Sequence, residues 1–259
     1  MKLKLYADAE AAAGILQRRK EDDAAIAESV RSILQDVRED GDRALFVYSE
    51  RFDGSVLDHS SMFVSRDEIG AAYAALDPAL LASIKKAAAN VLAYHKRDPM
   101  KDVVCTEDGR TTGFVVRPVE RAGIYVPGGT APLFSSVLMG VLPAKAAGVP
   151  HIWVATPAKN GQVHPAVIAA ADICGAERIL KVGGAQAIAA FAYGTESVPK
   201  ADVIAGPGNI YVTLAKKEVY GQVGIDMLAG PSEILIIADG RQDPAFLAAD
   251  VLSQAEHDR

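Results

Sequence analysis

The chain has 259 residues, half of them apolar and 23% charged, with a formal net charge of −6. That content suffices for one large core or two smaller ones, and with no basic excess to neutralise a phosphate backbone it argues against a dedicated nucleic-acid binder. The two cysteines, Cys105 and Cys174, show no CxxC spacing, so neither a zinc knuckle nor a disulfide framework is expected, and the cytoplasm is the expected compartment.

The N-terminal stretch MKLKLYADAEAAAGILQRRKEDD becomes charged by residue 20 and lacks the apolar core and cleavage site of a signal peptide. No stretch nears the roughly 18 apolar residues that a spanning helix needs, so no membrane partner is expected. Residues 22–51 place Ile26, Val30, Ile33, Leu34 and Val37 at helical spacing, which predicts an amphipathic helix interrupted at Asp40–Gly41 and then resumed. Ser65 followed by Glu68 is a capping-box pattern; it opens a helical stretch that runs, with a break near Asp77–Pro78, to about His95. In VVCTEDGRTTGFVVRPVERA two β-rich runs flank Asp108–Gly109, a strong hairpin signal.

From Ala122 the rhythm becomes regular. AGIYVP, HIWVATP, RILKV and DVIAG read as strands, and a helical run follows each of them. Four such β–α units predict a parallel, doubly wound sheet with right-handed crossovers and helices on both faces. EILIIAD, residues 233–239, reads as another buried-type strand, either of this sheet or of the N-terminal region.

In an open parallel sheet, ligands bind at the carboxyl ends of the strands. Three stretches place glycine there: Val126-Pro-Gly-Gly129, Val182-Gly-Gly-Ala-Gln186 and Ala205-Gly-Pro-Gly-Asn209. Each lets the backbone approach a ligand, and the helix that follows offers free N–H groups to an anion. None is GxGxxG, and βα turns use glycine for purely structural reasons, but three at corresponding positions point to a nucleotide or phosphate. Tyr125, Gln186 and Asn209 sit beside them; each either packs or caps locally, or contacts a nucleotide. Ser232 precedes the EILIIAD run and either holds a turn or meets a polar substrate. On the final helix Asp250, Gln254 and His257 share one face at steps of four and three. One helix supplies two or three donors where zinc takes at least three protein ligands, so this is at most part of a metal site. His59, His95, His151 and His164 have no partner spacing, and no GxSxG elbow is present.

RAGIYVPGG, GGAQAIAAFAYGTES, GPGNIYVTLAKK, GIDMLAGPSEILIIAD and LSQAEHD, in this order, resemble histidinol dehydrogenase from about residue 20 to the last residue. The resemblance implies incomplete Rossmann-like, doubly wound parallel-sheet α/β domains in an aldehyde dehydrogenase-like architecture. It implies an N-terminal extension over 1–21, a discontinuous first domain over 22–121 plus 233–259, and a second over 122–232 with the nucleotide loops. It further implies an NAD- and zinc-dependent oxidation of L-histidinol to L-histidine through an aldehyde, the last step of histidine biosynthesis, by a homodimer. By the same resemblance Tyr125, Gln186 and Asn209 contact NAD, Ser232 contacts substrate, and Gln254 and His257 are zinc ligands that also face the substrate. The acid–base Glu-His pair and the remaining zinc ligands are expected past Arg259, leaving an incomplete site here. Alternatives are a paralogous dehydrogenase of another polar alcohol and a non-catalytic NAD-binding domain.

Overall fold

The computed structural model describes residues 23–97, 99–128, 132–228 and 234–255. Four helices come first: α1 (Asp23–Asp40), α2 (Asp42–Asp53), α3 (Arg66–Ala75) and α4 (Pro78–His95). Their ends follow local chemistry. Gly41, at φ +55°, separates α1 from α2 in a conformation that glycine adopts without steric cost. Ser65 caps α3 reciprocally: its Oγ accepts from the Glu68 N–H at 3.2 Å, and the Glu68 carboxylate accepts from the Ser65 N–H at 2.8 Å. Asp77 accepts from the Ala79 N–H at 2.7 Å, and Pro78 takes the first-turn position of α4 where no donor is needed. Next, β1 (Val103–Glu107) and β2 (Arg110–Phe114) form an antiparallel hairpin. Asp108 at φ 52° and Gly109 at φ 74° supply the two left-handed positions of its turn.

The remainder of this unit alternates strand and helix: β3 (Arg121–Tyr125), α5 (Phe134–Ala146), β4 (His151–Ala155), α6 (Pro165–Cys174), β5 (Arg178–Leu180), α7 (Gly184–Tyr193), β6 (Val203–Ala205), α8 (Ile210–Val219) and β7 (Gly224–Ile225). The five strands are parallel in the order β5-β4-β3-β6-β7, so β3 is central and the order reverses between β3 and β6. The two-residue β7 is an addition that the sequence pattern does not announce. In register, Gly123 of β3 lies opposite Trp153 of β4 and Ile204 of β6.

Alternating residues feed two cores. Ala122, Ile124, Ile152, Val154 and Ile179 face a layer that holds buried residues of α3, α4, α5 and α6. Tyr125, Trp153, Ala155 and Leu180 face the opposite layer, with α1, α2, α7 and α8. The N-terminal helices thus complete both faces of the sheet, and residues 24–229 make one compact unit. The apolar stripes of α1–α4 find their burial on this sheet. Within the described residues no helix is long and apolar enough to cross a membrane.

The described residues 234–255 belong to a second unit. They contain α9 (Pro244–Ala255), opened by Asp243, whose carboxylate accepts from the Ala245 N–H at 2.9 Å. The strand expected over EILIIAD is not found over its described part, 234–239, where Leu235 and Ile237 are 85% and 88% exposed. A strand requires a hydrogen-bonded neighbour, and none lies beside this segment among the described residues.

Gly123 shows how tightly the central strand is packed. A Cβ placed there would lie 2.6 Å from ring carbons of Phe191, itself buried. Gly123→Ala is expected to cost about 1–3 kcal/mol through overpacking, measured by urea denaturation. A loss too small to measure would contradict this packing.

Candidate nucleotide-binding cleft

At the carboxyl edge of the sheet, residues of the 24–229 unit enclose an open cleft of about 2100 Å³. Tyr125, Gln186 and Asn209, which come from three separate βα connections, all line it. Tyr125 ends β3 and is buried; its hydroxyl oxygen accepts from the Gly184 N–H at 3.1 Å. Burial pushes this phenol up to about 12, against a lowering by the Gly184 N–H and with a further rise from Asp53. The hydroxyl therefore keeps its proton at neutral pH and remains a donor.

Gln186 lies in the first turn of α7 and is only 1% exposed, yet its Oε1 has no hydrogen-bond partner. A buried acceptor left unpaired costs about 1–3 kcal/mol, a cost that a ligand donor would remove. Gly184 at φ +64° starts the same helix, where an added Cβ would fall 2.7 Å from that oxygen. Asn209 caps α8, its Oδ1 accepting from the Val212 N–H at 3.1 Å. Capping occupies the oxygen and leaves the amide N–H groups of the side chain for a ligand.

The glycines divide by role. Gly183 is glycine because Pro157 fills the adjacent space, with an added Cβ 2.5 Å from the proline Cβ. Gly206 adopts φ +123° and passes close over the backbone of Tyr125. This third loop is clamped by groups that sequence reasoning did not single out. The Nζ of Lys216, 2% exposed, donates to the Gly206 carbonyl at 3.0 Å and to the Asp226 carboxylate. Asp226 in turn accepts from the Gly206 N–H at 2.8 Å.

The cleft also gains a wall from the N-terminal helices that no spacing rule indicated. Asp53, at the C-terminal end of α2, lines it beside Tyr48 and Phe52. Its Oδ2 is buried without a partner, and burial pushes the carboxyl up to about 6.

The four histidines without partner spacing have structural partners. His59 pairs with Asp42 at 3.1 Å and His151 with Glu177 at 2.8 Å. His164 caps α6, and His95 meets the Tyr94 ring edge-on. Asp250 lies on α9 and is exposed. Ser232 and His257 lie outside the described residues, as does the side chain of Gln254. Among the described residues no three His, Cys, Asp or Glu side chains gather as a metal site.

Comparison with known proteins places this architecture. The family model described as histidinol dehydrogenase matches residues 16–259. The chain belongs to the histidinol dehydrogenase family. It is 52% identical over 234 residues to the histidinol dehydrogenase of Syntrophotalea carbinolica, covering 90% of this chain and 54% of that protein. With the Moorella thermoacetica enzyme it shares 53% over 235 residues, covering 90% and 55%. The crystal structure of histidinol dehydrogenase from Elizabethkingia anophelis is similar at a TM-score of 0.86 and 41% identity, covering 96% of this chain and 58% of that one. The chain thus spans about half the length of the curated relatives it matches.

Lys216→Met is expected to destabilise the protein by about 1–3 kcal/mol, because it leaves the partly buried Asp226 carboxylate without its counter-ion and takes a donor from the Gly206 carbonyl. Urea denaturation measures this, and unchanged stability would show that the clamp on the third loop carries no energy.

Proposed function

We propose that this chain supplies the dinucleotide-binding part of an NAD- and zinc-dependent oxidation of L-histidinol to L-histidine, by way of L-histidinaldehyde. Family membership supports the reaction class. The observation that carries the NAD reading is the convergence of Tyr125, Gln186 and Asn209 on one cleft beside the β3–β6 reversal. A reversal of strand order at the carboxyl edge is where dinucleotides bind in Rossmann-like sheets, and the five strands here, in the order β5-β4-β3-β6-β7, reverse between β3 and β6. The fit to NAD rests on donors and acceptors of matching kind: the protonated Tyr125 hydroxyl, the unpaired Gln186 oxygen and the free Asn209 amide.

In this reading the three loops fix the orientation of the dinucleotide, and its phosphates meet backbone N–H groups at the helix starts other than those of Gly184 and Gly206, which Tyr125 and Asp226 already take. Ser232 holds the substrate, and Gln254 and His257 contribute two zinc ligands that also face it. A bound zinc ion would polarise the substrate oxygen and ease loss of its proton. The acid–base pair and the other zinc donors belong to the part of the family's length that this chain does not span. The complete enzyme works as a cytoplasmic homodimer on a small polar substrate.

The test is NADH formation from L-histidinol with Zn²⁺, by this chain alone and with the rest of the family's length added as a second polypeptide. Turnover is expected only in the mixture. Gln186→Leu in that mixture should raise the KM for NAD about fivefold, since one hydrogen bond is worth on the order of 1 kcal/mol. Turnover by the chain alone would contradict the assignment of roles, and preference for another polar alcohol would favour a paralogous dehydrogenase. NAD binding with no turnover in the mixture would favour a non-catalytic domain.

A further inference from the structure

A dinucleotide sheet takes its ribose-binding carboxylate from a position about 20 residues beyond the first phosphate loop, near the end of the strand after the first crossover. Here that strand is β4, and the segment after it reads Thr156-Pro-Ala-Lys-Asn-Gly-Gln-Val163, with no acidic residue. The position is filled from elsewhere. The turn after α2 is stapled to this segment by three hydrogen bonds. The Asn160 N–H donates to the Asp53 carbonyl at 3.1 Å, the Gly161 N–H donates to Ser55 Oγ at 2.8 Å, and Ser55 Oγ donates to the Ala158 carbonyl. Ser55 is fully buried, so the staple is part of the core. It presents the Asp53 carboxylate to the cleft, close enough to Tyr125 for its charge to act on that phenol.

Neither oxygen of Asp53 has a donor among the described residues, and one of them is buried. A carboxylate in that state costs stability unless a ligand supplies donors. A vicinal diol supplies two, whereas a phosphate in place of one hydroxyl would bring a like charge against it.

We infer that Asp53 is the carboxylate that accepts hydrogen bonds from the hydroxyls of the adenosine ribose, and that it sets the choice of NAD over 2′-phosphorylated NADP. The inference rests on the cleft being the NAD site proposed above. Burial holds the unliganded carboxyl at about 6. Two hydroxyl donors favour the ionised form, so binding lowers this value and releases a proton near pH 6. Other charged or titratable groups lining the cleft are Glu28, Arg51, Lys159, His164 and the phenols of Tyr48, Tyr125 and Tyr211. Arg51 and Lys159 would favour a 2′-phosphate, so the preference for NAD measures Asp53 against them.

The experiment is calorimetric titration of this chain with NAD and with NADP, at pH 6 and 7.5, in buffers of different ionisation enthalpy. NAD is expected to bind about tenfold more tightly than NADP at pH 7.5, a difference of about 1.4 kcal/mol. At pH 6, NAD should release up to about half a proton per ligand, because half of the Asp53 carboxyls are then protonated. Asp53→Asn should weaken NAD about five- to tenfold, leave NADP unchanged or tighter, and abolish the proton release. A carboxylate that only supported the fold would not produce that release. Equal binding of NAD and NADP, or NAD binding with no proton release by the unmodified chain, would overturn the role of Asp53 and leave the cleft standing. Should Asp53→Asn fail to fold, those two measurements on the unmodified chain decide the matter. Failure of the unmodified chain to bind NAD at all would overturn both the cleft reading and this inference.

Discussion

Everything in the 24–229 unit depends on the central position of β3. A strand paired on both sides has no free edge, so every residue of Arg121–Tyr125 must be covered above and below. The chain meets this demand with two layers of helices, each drawing on the N-terminal segment as well as on the β–α units. Placing β3 at the centre also puts the reversal of strand order at its carboxyl end, so the cleft follows from the same arrangement that closes the core.

Rigid surroundings with unsatisfied groups distinguish the cleft from an ordinary groove. Pro157 fills the space beside Gly183, and Lys216 with Asp226 fixes the Gly206 loop, so these connections are held before any ligand arrives. Against that fixed frame stand two buried oxygens without partners, on Gln186 and Asp53. Folding alone does not favour such atoms, whereas a site that must discriminate between polar ligands does. The buried Tyr125 phenol joins them, accepting one hydrogen bond and keeping its proton for another.

Much of this was legible in the sequence where the cause is local. The capping box at Ser65, the proline start of α4, the turn at Asp108–Gly109 and the β–α rhythm from Ala122 each depend on a few neighbouring residues. That Tyr125, Gln186 and Asn209 share one edge of the sheet was legible for the same reason, because strand ends followed by glycine mark that edge. What escaped has its cause in tertiary structure. The amphipathic stripes of α1–α4 tell that one side is buried but not which sheet buries it. EILIIAD has the composition of a buried strand, and only a neighbouring strand could make it one. Asp53 reads as a charged helix end followed by glycine; its place in the cleft comes from a staple to residues more than 100 positions away.

The central claim is that three loops, separated in sequence, act together as one NAD site. Hydrogen–deuterium exchange of this chain with and without saturating NAD tests it most directly. The account predicts that NAD slows exchange together at 125–128, 184–187 and 206–212, with little change in α3, α4 or the β1–β2 hairpin. Protection confined to one loop, or centred on the opposite edge of the sheet, would contradict it.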